Sequence, residues 1–405
     1  MKILALSSWF PYPPDNGSKI RTFNLIKELA KRHQIHLLSF IREENDKNHI
    51  SSRKDYCETV GIASLDVYNP MSAKAIAGFL TPTPRSVVST YNREMQQLVD
   101  AEISRQSFDV VISMHLDTAN YVAEMNHVPK VLDQHNVESL FSKKQSALQA
   151  SRFSRFRYWL SWVKAKRYES RICSQFDACA VVSEIDKKEL LRICPNARLV
   201  EVIPNGVDFS FYHFQQARNR QQKTLVYNGA LTYVANEVAV FNFYDNILPR
   251  VRKEIPEVKL IITGKYNEKR HSWLALDKNI TLTNYVADIR PFVANSSVCI
   301  VPLTIGGGTR LKILEAMALG TPVVSTSAGA EGLDVTHDEN ILIADDPQIF
   351  ARYVINLFQD TRLRERIAMK ARACVEEKYS WTTIGEQLHH VLMRVVADNL
   401  HKRRI

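Results

Sequence analysis

No apolar run in the 405-residue sequence approaches the length needed to span a bilayer. The opening Met1-Lys2-Ile3-Leu4-Ala5-Leu6 meets Pro11 too soon to serve as a signal peptide. These two absences predict a cytoplasmic protein. Cysteine is scarce and unpatterned: the six residues at 57, 173, 179, 194, 299 and 374 share no paired metal-binding spacing, so all are expected as reduced thiols. An excess of positive charge is also absent from most of the chain. The formal net charge is +10, but residues 142–171 alone carry nine Lys or Arg against one acid, Glu169. That concentration excludes a chain-wide nucleic-acid stripe and leaves one local basic patch. What is present is ordinary for a globular protein, 45% hydrophobic and 24% charged, with length enough for two domains with full cores.

The order of the elements follows from the apolar pattern. Residues 2–8 read as a strand, 9–18 as a loop rich in Pro, Asp, Asn and Gly, and Ile20, Phe23, Leu25, Ile26 and Leu29 fall at helical spacing before a second strand at 34–41. This is the βαβ unit of a parallel, doubly wound sheet, whose ligands bind beyond the carboxyl ends of the strands. Gly17, at the mouth of that unit, is a candidate for contact with a diphosphate or a plain turn glycine. Further strands at 108–114, 130–133 and 177–183 end at His115, at His135 and at Glu184. The turn Pro204-Asn205-Gly206-Val207-Asp208 and the polar stretch 215–223 form a linker, after which the pattern restarts. Strands are expected at 224–227 leading to Gly229, at 259–263 leading to Gly264, and at 280–283; a helix is expected at 237–248 and a last one at 381–399.

The densest signal lies in residues 301–331. A buried strand at 298–303 is broken by Gly306, Gly307 and Gly308, and a helical pattern (Leu311, Leu314, Met317, Ala318) begins at once. Glycines allow backbone N–H groups to approach a ligand, and the helix start adds unpaired N–H groups and a positive dipole end, a combination that suits a phosphate. Gly307, Gly308, Thr309, Arg310 and Lys312 are candidate phosphate-binding residues, and Glu315 lies near enough to accept from a sugar hydroxyl. The bland reading is a tight turn with an exposed Arg and Lys.

The run Gly-Gly-Gly-Thr-Arg-Leu-Lys-Ile-Leu-Glu-Ala-Met-Ala-Leu-Gly-Thr-Pro-Val-Val-Ser-Thr resembles the donor-binding signature of glycosyltransferase family four, a retaining family with the GT-B fold. The resemblance implies an α/β protein of two facing Rossmann-like, doubly wound domains: 1–205 on the acceptor side, joined by a C-terminal helix at about 385–405 that crosses back, and 206–384 binding the nucleotide sugar. In that family two glutamates contact the donor, the first at the transferred sugar and the second at the ribose; Glu315 matches the second, while Gly307 occupies the first position. The family uses no metal held by an Asp-x-Asp motif, and none is found here, so neither metal nor cofactor is expected. Its usual diphosphate ligands are an Arg after the first glycine of the second domain and a Lys further on. Here Gly229 is followed by Ala230, and the later positions read Tyr233, Ala235 and Asn236. The positive charge must then come from Arg310, Lys312 or Lys265.

His135, in Val131-Leu132-Asp133-Gln134-His135-Asn136-Val137-Glu138, resembles the family histidine that faces donor sugar and acceptor, and His115 ends the preceding strand in a similar way. Either can orient or deprotonate a hydroxyl within about 3 Å, or simply bond to backbone. In the basic segment Phe153, Phe156, Leu160 and Val163 form one helical stripe widened by Trp159 and Trp162 and flanked by Arg155 and Lys166. Such a helix can lie on an anionic membrane or pack on the sheet as core. The whole implies a glycosyltransferase acting on a lipid-linked or polysaccharide acceptor in cell-surface glycan synthesis. A sugar-nucleotide epimerase and a non-catalytic sugar-nucleotide-binding protein of the same fold are the alternatives.

Overall fold

The structure is a computed structural model that describes residues 1–42, 56–65, 68–69, 71–140, 143, 151–213, 221–305 and 310–402. The chain divides into two compact units, residues 1–205 with 381–405, and residues 206–380.

The first unit is built on a parallel sheet of seven strands: β1 (Lys2–Ser7), β2 (Gln34–Ile41), β3 (Thr59–Ser64), β4 (Val110–Ser113), β5 (Lys130–Asp133), β6 (Ala178–Val181) and β7 (Val200–Val202). Their order, β3-β2-β1-β4-β5-β6-β7, reverses direction between β1 and β4. Because side chains alternate across a strand, β1 sends Leu4 and Leu6 to one face and Ile3 and Ala5 to the other. The Leu4 face is covered by Met95 and Val99 of the Arg93–Arg105 helix and by Tyr168, Ile172 and Phe176, near the end of the Arg152–Ser174 helix. The Ile3 face is covered by Leu25, Ile26 and Leu29 of the Gly17–Ala30 helix together with Trp381, Ile384, Leu388 and Leu392.

Those last four residues belong to the helix Trp381–Lys402, the final element of the chain. It joins the first unit from Trp381 onward, earlier than the expected 385, because Trp381 is itself a core residue at 4% exposure. At Gly385 this helix passes so close to the Gly17–Ala30 helix that a Cβ there would stand 2.4 Å from Glu28 Cβ.

The second unit repeats the plan with six parallel strands: β8 (Gln221–Asn228), β9 (Lys259–Thr263), β10 (Ile280–Leu282), β11 (Ser296–Val301), β12 (Val323–Ser325) and β13 (Leu342–Ile343). The order β10-β9-β8-β11-β12-β13 puts its switch point between β8 and β11. The single helix expected over 237–248 is instead Val234–Asn242, a wide π turn Phe243–Ile247, and a second helix Leu248–Glu254. Pro249 explains the break, since it has no N–H to give an α-helical bond and its ring crowds the preceding turn. The six cysteines are all buried free thiols. Among the described residues no helix is long and apolar enough to cross a membrane.

Candidate active site

In a doubly wound sheet the loops on either side of the switch point splay apart and leave a crevice at the carboxyl ends of the strands. In the second unit that place is the end of β8, and the helix Leu311–Ala318 packs beside it. Glu315 is fixed there by two donors: Tyr212 Oη gives to Oε1 at 2.9 Å and Asn228 Nδ2 to Oε2 at 3.0 Å. Asn228, the last residue of β8, is itself oriented by Thr263 Oγ1 at the end of β9, 2.9 Å from its Oδ1. Burial pushes the Glu315 carboxyl up, against these hydrogen bonds and the nearby charge of Lys312. A carboxylate held in this way keeps lone pairs for a ligand hydroxyl.

One turn earlier on the same helix, Lys312 does not point to solvent. Its Nζ donates to Tyr227 Oη at 3.1 Å and to Asn236 Oδ1 at 3.0 Å, and lies 4.3 Å from the Tyr227 ring centroid. Burial drives its pKa down to about 7, with Arg310 adding to the fall and Cys299 and Glu315 opposing it. Gly229 makes this possible, because a Cβ there would stand 2.6 Å from the Lys312 ammonium. Asn236 is one of the positions at which the sequence lacks the family's usual cation, and Lys312 delivers a cation to it from another helix. Arg310 immediately precedes the helix, is 7% exposed, and donates from Nη2 to the Ala328 carbonyl at 3.3 Å. Lys265 is exposed, 5.7 Å from the Tyr285 ring. Gly307, Gly308 and Thr309 lie outside the described residues.

The first unit carries a second polar cluster, at the ends of β4 and β5. Asp133 is fully buried and is gripped by Arg21, whose Nε reaches Oδ2 at 2.9 Å and whose Nη1 continues to the Pro204 carbonyl at 2.9 Å and Asn205 Oδ1 at 3.0 Å. The Arg21 guanidinium and the adjacent His135, outweighing burial, hold the Asp133 carboxyl well below the usual range. His135 stands over this pair: its Nδ1 lies 3.1 Å from Ser18 Oγ, while Nε2 is buried 3.3 Å from Asp133 Oδ2 without a hydrogen bond. Burial lowers its pKa to about 4 despite Asp133, so the ring is neutral at pH 7 and both nitrogens are turned to its own unit. Ser18 follows Gly17, which opens the first helix behind the cap Asn16.

His115 is different. Its ring meets that of His135 edge-on at 5.2 Å, and its Nδ1 sits 3.2 Å from Asp117 Oδ2 and 3.3 Å from the Asp117 amide. Although burial disfavours the charged form, Asp117 raises the pKa toward about 9. The Asp117 side chain is 50% exposed, and water screens part of that effect. Of the two contacts a protonated ring keeps the one to the carboxylate.

Sequence reasoning missed the residue that shapes this loop. Glu169, the lone acid of the basic segment, is fully buried on the Arg152–Ser174 helix. It accepts from Gln134 Nε2 at 2.9 Å and from the amides of Glu138 and Ser139 at 3.0 and 3.1 Å, tying down the loop that holds His135. A single acid among nine bases was the available signal. On the same helix Phe156 is 61% and Trp159 46% exposed, Arg155 is exposed, and Trp162 and Lys166 are half-buried. Phe156 is therefore not core, and its ring stacks on Trp159 at 5.9 Å. The side chain of Phe153 lies outside the described part of the structure.

Two α/β units of this topology, with a carboxylate and a cation at the switch point of the second, have the architecture of the GT-B fold. Residues 15–211 match the model of Glycosyltransferase Family 4 and residues 222–360 that of Glycosyl transferases group 1, and the chain belongs to this glycosyltransferase family. It is 24% identical over 391 residues to an uncharacterized 44.6 kDa protein in the cps region of Klebsiella pneumoniae, covering 93% of this chain and 96% of that one. It is 26% identical over 196 residues to the Staphylococcus aureus capsular polysaccharide biosynthesis glycosyltransferase CapM, 45% of this chain and 51% of that one. Among solved structures, Anabaena HepE in complex with UDP-glucose superposes with a TM-score of 0.67 at 17% identity, covering 97% of this chain and all of that one.

Proposed function

We propose that this protein is a retaining glycosyltransferase of the hexosyl type, taking its sugar from a nucleotide-sugar donor and placing it on a lipid-linked or polysaccharide acceptor in cell-surface glycan synthesis. The observation that carries the reading is the Glu315 carboxylate fixed by Tyr212 and Asn228 one turn from the buried Lys312 ammonium. Glu315 accepts from the ribose hydroxyls, and Lys312 and Arg310 take the diphosphate without need of a metal. The bond from the sugar C1 to the diphosphate breaks, the acceptor oxygen bonds to C1 on the same face, and the acceptor proton leaves on the diphosphate. The names of similar proteins support this reading: one relative is named a capsular polysaccharide biosynthesis glycosyltransferase, and a protein of the same fold was solved with UDP-glucose. The face with exposed Arg155 and Trp159 and half-buried Trp162 and Lys166 rests on an anionic membrane, each basic group contributing about 1 kcal/mol.

The test is a thermal-shift panel of UDP, GDP, ADP and TDP with their common sugars, on wild type and Glu315→Ala. A rise with one nucleotide that disappears in the variant supports the donor site. Absence of any rise sinks the transferase reading. Gly307 and Ala230, each in place of a charged family residue, favour one other reading, a non-catalytic sugar-nucleotide-binding protein. A nucleotide shift without turnover of the donor, hydrolytic or by transfer, would select it.

A further inference from the structure

A cavity of about 230 Å³ lies within the first unit, between the loops that follow β4 and β5 and one face of the Arg152–Ser174 helix. Arg157, Leu160, Lys164 and Tyr168 line it at spacings of three and four, opposite the face that carries Arg155, Trp159, Trp162 and Lys166. The two faces of one helix therefore have different surroundings.

The cavity is lined by one polar group that the described residues leave unsatisfied. Tyr168 is 5% exposed, and among the described residues its hydroxyl is buried without a hydrogen-bond partner. A phenol in that position forfeits its hydration for nothing in return unless something else pairs with it. Across the cavity stands Glu138, three residues after His135. Its carboxyl lines the cavity, and burial holds its pKa above the usual value. Asp117, the partner of His115, completes this acidic side.

The opposite lining is cationic. Lys164 Nζ donates to the carbonyls of Gly78 and Phe79 at 3.1 and 2.8 Å, which leaves the third proton of an ammonium to give. Arg85 lies 3.8 Å over the Phe79 ring, and Arg157 is exposed. Two lining residues, Tyr68 and Phe79, are 38% and 44% exposed and so mark the mouth; Leu80 beside them is 93% exposed.

Hydroxyl-seeking groups inside, cations outside them and apolar residues at the rim match one kind of molecule in that order. We infer that this cavity seats a phosphorylated sugar as the acceptor. Its hydroxyls pair with Tyr168 and Glu138, and its phosphate with Lys164, Arg85 and Arg157. The volume is below the roughly 300–1,000 Å³ of a site for a drug-sized ligand, so one sugar ring enters and the remainder stays outside. This inference rests on the chain being a glycosyltransferase, and it assigns the acceptor end of that reaction.

The experiment is calorimetric titration of the full-length protein with glucose, galactose, mannose and N-acetylglucosamine 1-phosphates and with inorganic phosphate. Titrations are run on wild type, Tyr168→Phe, Glu138→Gln and Glu315→Ala. At least one sugar phosphate is expected to bind about ten-fold tighter than inorganic phosphate, and each cavity variant to lose most of that margin. Binding should persist in Glu315→Ala, which separates the cavity from the donor site, and the nucleotide shift should persist in the cavity variants. Tyr168→Phe should melt no lower than wild type, because the fold makes no use of the hydroxyl. Sedimentation with phosphatidylcholine vesicles carrying a polyprenyl-diphosphate sugar that is lost in Tyr168→Phe and Glu138→Gln, while sedimentation with phosphatidylglycerol vesicles of equal charge is the same in those variants as in wild type, would assign the lipid-linked source; binding of soluble sugar phosphates alone would assign a free one. Equal affinity for phosphate and sugar phosphates, or cavity variants that bind as wild type does, would overturn the inference. A failed nucleotide panel with intact sugar-phosphate binding would count against the transferase reading alone.

Discussion

Lys312 offers a test in which stability and binding move in opposite directions. The free ammonium sits in a space where burial depresses its pKa from the ordinary 10.5 to about 7. A lysine lowered in the folded state penalises folding fully below about pH 7, and the penalty fades as pH rises toward 10.5, where the unfolded lysine is neutral too. Between these limits wild-type stability should climb by about 1 kcal/mol per pH unit, and at pH 7 the accumulated cost is about 4 kcal/mol. Replacing Lys312 by Met removes the charge and keeps the stem. The two groups it bonded still have each other, since Tyr227 Oη donates to Asn236 Oδ1 at 2.7 Å. Lys312→Met should therefore stabilise the second unit at pH 7 by about 2–4 kcal/mol, which for a unit of this size raises its melting temperature by roughly 5–10 °C. Calorimetric melts of both proteins at several pH values from 6.5 to about 9.5 measure this, and the slope with pH should be absent from the variant. The same substitution should abolish the nucleotide shift. At pH 8 donor binding to wild type should take up a proton, visible as a dependence of the titration heat on buffer. Parallel pH dependence in the two proteins, or a variant that melts lower, would refute the argument.

Three further outcomes follow from the first unit. Arg21→Met leaves Asp133 as an uncompensated buried charge and should cost about 3–5 kcal/mol in urea unfolding; an effect below 1 kcal/mol would mean that the pair is not buried in solution. Glu169→Gln is not conservative, because one amide oxygen cannot serve three donors and its NH₂ would face an N–H group; a loss of about 1–3 kcal/mol is expected by the same assay. With the Glu169 pKa raised by burial to about 7, its stability contribution is full below its unfolded value near 4.5 and declines as pH rises to 7. His135, lowered to about 4, is neutral from pH 6 to 8 and should produce no inflection in a pH–rate profile there; nuclear magnetic resonance titration of its ring would expose a value near 6.5 as contradiction.

Much of the architecture was legible because it is written locally. Apolar runs ending in glycine, and helical spacings such as Ile20, Phe23 and Leu29, report strands and helices within a window of a few residues. Glu315 was legible for the same reason, since a loop and a helix start are adjacent in sequence. The supports of the site were not. Tyr212 reaches Glu315 across 103 residues, Arg21 reaches Asp133 across 112, and Glu169 reaches back 31 residues to the amide of Glu138. No periodicity encodes such pairs. Lys312 was ambiguous for a subtler reason: helix phase places it at the edge of the buried face, and only the missing Cβ of Gly229, 83 positions earlier by number, turns it inward. Pro249 carried a usable signal for the split helix, but a strong apolar pattern on both sides concealed it.

The helix Trp381–Lys402 has a consequence for how the protein is made. Part of the cover of the Ile3 face of the first sheet is encoded after the whole of the second unit. On a ribosome residues 1–205 emerge with the Ile3 face of their sheet covered by the Gly17–Ala30 helix alone, and the part under Trp381, Ile384, Leu388 and Leu392 waits for 175 more residues. The second unit, contiguous in sequence, needs no such delay. The first unit is thus the one that completes its packing last, and until that helix docks it presents an apolar strip that a chaperone can hold.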